Sequence, residues 1–180
     1  MTEQKHLPLD YVYAALLREH SIDFVEVSDL ESMVEEASGQ ENIDRKRLGA
    51  VMLVLGWNYR YNHMYDEAEN MFLRAKGYFV ENPLDKSRDT ARALWFLAEN
   101  HYFRNNHEIG RSVFWNAIRE FSATVGMFDQ EAQLCLSNFW ECASGIVKDE
   151  DLVQDIEDTM EFVAFCEAQG TDGHITVLAS

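Results

Sequence analysis

The stretch LGWNYRYNHMYDEAENMFLRA, Leu55 to Ala75, returns 42 residues later as LAENHYFRNNHEIGRSVFWNA, Leu97 to Ala117. The alignment extends without a gap over residues 52–79 and 94–121. Leu55 meets Leu97, Asn58 meets Asn100, Phe72 meets Phe114, Ala75 meets Ala117 and Phe79 meets Phe121. Tyr61 meets Phe103, and Ala68 meets Gly110. The shared positions are mostly small or apolar and recur every three or four residues, the spacing of one helix face. Repetition at such a period marks stacked units, each unable to bury both of its faces alone. Gly56 and Ala98 on the first helix, and Ala68 and Gly110 on the second, are expected to let the two helices of a pair approach closely. Phe72 and Phe114 are expected to fill the space between pairs.

Helical periodicity continues outward from the repeat. Leu9, Val12, Tyr13, Leu16 and Leu17 form a first stripe. Ser28-Asp29-Leu30-Glu31 has the form of a capping box, followed by the stripe Leu30, Met33, Val34 and Ala37 and by Gly39 as a C-terminal stop. Helices are expected near 44–62, 64–80, 87–103, 106–124, 129–144 and 149–169. The run Leu48 to Gly56 is apolar all round and predicts an inner helix. Asn82 before Pro83 closes the helix that runs to about Val80, because the residue before proline is pushed out of the α region. The fold class is therefore all-α: about eight helices as antiparallel hairpins in one domain over 1–180. Residues 1–40 form an N-terminal helical pair, 44–126 two repeat hairpins and 127–169 a third. The tail 170–180 is expected to be mobile, with His174–Leu178 as a candidate short strand.

Leu55-Gly56-x-x-Tyr59, then Tyr65, Ala68, Phe72 and Ala75, resembles the signature of the tetratricopeptide repeat (TPR) in order and internal spacing. The second copy keeps Leu97-Ala98, Gly110, Phe114 and Ala117, with His101 and His107 at the tyrosine sites. A weaker third copy begins at Leu136-Ser137-x-x-Trp140. The 42-residue step is longer than the usual 34, which longer helices and links accommodate. The resemblance implies a short right-handed TPR-like α-solenoid whose first helices line a concave groove for a peptide or helix. By repeat position the groove takes Leu53, Trp57, Arg60 and Tyr61 from the first copy. The second supplies Arg92, Trp95, Glu99, Tyr102 and Phe103, and the third Leu134, Asn138 and Glu141. Asn58 and Asn100 lie beside it and suit the backbone of an extended peptide. Aromatics and arginine dominate binding energy at interfaces. At helical spacing, Trp57 and Trp95 read equally well as core.

Charge divides the chain. Fifteen basic and 32 acidic side chains give −17 overall, split as −7 over 1–40, +1 over 41–126 and −11 over 127–180. Duplex nucleic acid binding is disfavoured, since phosphate contacts need clustered Lys and Arg. No eighteen-residue apolar run predicts a membrane span. Cys135, Cys142 and Cys166 lack a CxxC or a His/Cys ligand pair and read as small buried hydrophobes in a reducing cytosol. Asp151, Asp155 and Asp158 share a helix face, but without the alternating oxygens and turn glycine of a calcium loop. No nucleophile elbow, phosphate loop or HExxH occurs, so neither catalysis nor a cofactor or metal is expected. The expected role is protein–protein interaction, as a cytoplasmic adaptor, regulator or chaperone for a protein or peptide partner. Two alternatives stand beside it. One is an acidic inhibitor, such as an immunity protein, antitoxin or nucleic-acid mimic, that neutralises a basic partner. The other is a structural homo-oligomer.

Overall fold

The computed structural model describes residues 26–39, 43–80 and 87–175. Polar caps set the helix starts. Asp44 Oδ1 accepts the N–H groups of Lys46 and Arg47 at 3.1 and 3.2 Å. Ser87 Oγ accepts from Thr90 N at 3.0 Å, Asp129 Oδ1 from Glu131 N at 3.0 Å and Asp149 Oδ1 from Leu152 N at 3.0 Å. Each satisfies a donor that the helix cannot, a contribution of about 1 kcal/mol. The resulting α-helices are α1 (Val27–Ser38), α2 (Arg45–Tyr61), α3 (Tyr65–Phe79), α4 (Arg88–Phe103), α5 (His107–Thr124), α6 (Gln130–Glu141) and α7 (Glu150–Ala168). The described residues contain no strand. These are seven helices against about eight expected; the stripe from Leu9 to Leu17 lies outside the described residues, as does the Asn82-Pro83 stop.

The chain divides into two compact units, Met1–Glu81 and Asn82–Ser180, with the boundary between the two repeat copies. In the first unit α2 packs against both α1 and α3. Leu48 through Gly56 are all buried, as expected of an inner helix. A methyl group on Gly49 would lie 2.6 Å from Phe79 Cε1, and one on Gly56 would lie 2.6 Å from Phe72 Cε1. The glycines therefore set how closely α3 approaches α2.

In the second unit α4 pairs with α5, and α6 with α7. Phe114 of α5 stacks on Phe139 of α6 at 4.6 Å between centroids and 11° between planes. It thus fills the space between successive hairpins. Trp115 meets the same Phe139 edge-on at 5.1 Å. All three cysteines are free and buried, and burial pushes the Cys135 thiol well up.

Four local expectations are corrected. Helix α1 begins at Val27 with Glu26 in the cap position and no side-chain cap, so the Ser28–Glu31 capping box does not form. Glu31 is instead taken by the Tyr59 hydroxyl, which donates to its Oε1 at 2.5 Å. Gly39 has φ −86°, so no left-handed stop ends α1. After Glu141 the sixth helix widens into a π-helical segment, Cys142–Val147, before Lys148 turns the chain at φ 58°. Finally, the tail through Ile175 is docked. Met127 N donates to Gly173 O at 2.7 Å, Ser122 Oγ donates to Ile175 O, and His174 Nδ1 donates to Ser122 O at 2.9 Å. Residues 176–180, most of the candidate strand, lie outside the described residues.

Candidate functional site

In the first unit the last two turns of α2 carry the candidate residues outward. Trp57 and Tyr61 are one helical turn apart and their rings stack, with centroids 5.7 Å apart and planes 16° apart. Trp57 is half-buried, whereas Tyr61 is 74% exposed. Tyr59, between them, points the other way into the core. Its hydroxyl is pushed up to about 12, first by burial and then by its hydrogen bond to Glu31. Arg60 is half-buried beside the aromatic pair in sequence. Asn58 directs its side-chain N–H back to Val54 O at 2.9 Å, so its donor serves its own helix. Leu53 is 1% exposed and belongs to the interior. The turn into α3 adds residues that repeat position did not suggest. His63 Nδ1 meets the Tyr65 hydroxyl at 2.8 Å, and Met64 is exposed. Their exposure follows from the turn itself, which lifts residues 62–64 off both helices.

In the second unit the corresponding face of α4 is covered. Arg92, Trp95, Glu99, Asn100 and Tyr102 are all buried. Positions 92, 95, 99 and 102 form one stripe at helical spacing, and hydrogen bonds run from it to α6. Arg92 Nε donates to Glu131 Oε1 at 2.6 Å, and Asn138 Nδ2 donates to Glu99 Oε1 at 2.7 Å. Trp95 Nε1 donates to the same Glu99 oxygen at 2.8 Å. Arg92 also holds Asp89 at 2.9 Å, and Arg88 bridges Asp129 and Glu131. These groups are interior joints between first helices of neighbouring hairpins, not a groove wall. Buried charges persist here because they are paired and hydrogen-bonded. Tyr102 stacks on His107 at 5.6 Å and 10°. Burial raises its phenol well above the ordinary range. Of the residues assigned to this part of the groove, Phe103 (48% exposed), Leu134 and Glu141 remain at the surface, while Asn138 is half-buried.

The end of α2 thus offers a stacked aromatic pair, with Arg60 and His63 close to it in sequence. Among the described residues, no three His, Cys, Asp or Glu side chains stand together as metal ligands. No described helix is long and apolar enough to cross a membrane. Comparison with protein-family models, with curated proteins and with solved structures gave no match. The functional reading therefore rests on the residues themselves.

Proposed function

We propose that the protein is a non-catalytic interaction module of TPR-like, right-handed solenoid type, binding a peptide or helix of a partner protein in the cytoplasm. The observation that carries the reading is the stacked pair of half-buried Trp57 and exposed Tyr61 at the end of α2. Stacking holds both rings in one orientation, so less side-chain freedom is lost when a partner covers them. Their apolar faces supply contact area while the Tyr61 hydroxyl and the Trp57 indole N–H remain available to polar groups. Arg60 adds the residue type most often found with aromatics in binding hot spots. Phe103 occupies the matching repeat position on α4 and is also exposed. The free, buried cysteines agree with a reducing compartment.

The test is comparative capture from native lysate with mass spectrometric identification, using the wild type, Trp57→Ser/Tyr61→Ser and the surface control Ile109→Ser. A partner retained by the wild type and the control but lost from the double variant supports the reading. Equal recovery of every bound protein by all three would remove it. Loss of such an aromatic anchor costs about 2 kcal/mol or more.

A further inference from the structure

Helix α7 buries Leu152, Ile156, Val163 and Cys166. Among the described residues its other side is solvent-exposed and changes character along its length. Asp151, Asp158, Phe162 and Phe165 recur at i, i+7, i+11 and i+14, which places them on one outward stripe. The first half of the stripe is acidic. In the second half Phe162 is 51% and Phe165 61% exposed. The outer helix of a repeat array needs a polar outward face to stay soluble, and these two phenylalanines break that rule where packing gives them nothing to cover.

The charge around them identifies what would cover them. α7 holds seven acids and no Lys or Arg. Some acids have internal duties: Glu157 accepts from Trp140 Nε1 at 2.9 Å, Asp155 faces Arg111 at 3.6 Å, and Asp158 accepts from Gln154 Nε2 at 2.7 Å on its own helix while staying exposed. Asp151, Asp158 and Glu161 remain exposed on the same helix as the two rings. A second copy docking through this face would set acid against acid. We propose that the outer face of α7 docks a basic amphipathic segment of a partner protein. The segment's apolar side chains cover Phe162 and Phe165, and its Lys or Arg side chains meet Asp158 and Glu161. This surface lies in the second unit and does not depend on the α2 reading.

The probe is a fluorescent amphipathic peptide of about 18 residues, long enough for five helical turns, built from leucine and lysine. Its counterpart replaces every lysine with glutamate. Anisotropy titrations use the full chain at low and high salt. The lysine peptide is expected to bind and to weaken as salt rises, because steering by exposed charge is screened. Phe162→Ser/Phe165→Ser and Asp158→Asn/Glu161→Gln are each expected to weaken it at least about tenfold, the scale of one lost contact. Trp57→Ser/Tyr61→Ser leaves it unchanged. All substituted side chains are exposed or half-exposed, and circular dichroism confirms that each variant folds. The proposal falls if the lysine peptide does not bind, if the glutamate peptide binds equally, or if the α7 variants bind like the wild type. It falls too if light scattering shows a dimer that the phenylalanine variant converts to a monomer, since the occupant is then a second copy. Loss of peptide binding in the Trp57/Tyr61 variant would place the site on α2 and overturn it as well.

Discussion

His63 and Asn105 stand in the same place in two successive turns, with left-handed φ of 61° and 62°. Around them the hydrogen bonds repeat at an offset of 42 residues. Met64 N donates to Tyr59 O at 2.9 Å and Asn106 N to His101 O at 2.8 Å; His63 N donates to Arg60 O and Asn105 N to Tyr102 O, both at 3.0 Å. This is the Schellman closure of a helix, which usually recruits glycine or asparagine at its left-handed position. Asn105→Val is expected to lower stability by about 1–2 kcal/mol, because a β-branched side chain crowds that backbone. Asn105→Gly is expected to be neutral or stabilising. Urea denaturation midpoints of the two variants check the pair.

Gly56→Ala is expected to destabilise despite alanine's better helix propensity. The new methyl would lie 2.6 Å from Phe72 Cε1 and 3.1 Å from Met71 Cβ. Overpacking of a close-packed core costs about 1–3 kcal/mol, against about 1 kcal/mol regained in propensity. Adding Phe72→Leu should recover part of the loss. Thermal melts of the single and double variants measure the coupling.

Glu99 receives both the Trp95 indole N–H and the Asn138 amide on one oxygen. Glu99→Leu strands two donors, each costing about 1–3 kcal/mol if left unpaired. Glu99→Gln keeps an acceptor and should be milder. The same variants should shift Trp95 fluorescence, the leucine more than the glutamine. If the two substitutions are equally tolerated, the carboxylate is not the joint between α4 and α6 described above.

Alkaline pH should loosen the α1–α2 contact. The Tyr59 phenol is raised from 10.0 to about 12 in the fold, first by burial and then by its bond to Glu31. A raised folded value means that the stabilisation is complete below pH 10 and is lost as pH climbs from 10 to about 12. Tyr59→Phe, which cannot ionise, should show a shallower fall in stability across that window. Tyr102 is shifted in the same direction, so some alkaline loss remains in the variant. Denaturation midpoints followed across the window test this.

Much of the fold was legible because it is local. Apolar stripes and the 42-residue self-match together mark the seven described helices closely, though not the caps at Asp44, Ser87, Asp129 and Asp149. The fate of the candidate groove was less legible. Repeat position assigns both Trp57 and Trp95 to the groove, yet one lies at a half-open helix end and the other is buried in the core of the second unit. What distinguishes them is the polar pairing of α4 with α6. That pairing links residues 39 apart, as in Arg92–Glu131 and Glu99–Asn138, rather than 42. A search at the 42-residue step does not find it. The π-helical segment Cys142–Val147 has no side-chain signature, since its widening is a matter of backbone hydrogen bonds. The docking of the tail depends on Gly126 and Gly173. Both have positive φ, and a methyl on Gly126 would meet the Gly173 carbonyl carbon at 3.2 Å. A close approach of two backbones so distant in sequence leaves no periodic trace.

The most direct test of the α2 surface is hydrogen exchange on the protein with and without the partner that Trp57 and Tyr61 capture. The account predicts slower amide exchange, on binding, in fragments spanning residues 57–65, with the buried Arg92–Tyr102 face unchanged. Unaltered exchange at 57–65, or protection confined to α4, would contradict it.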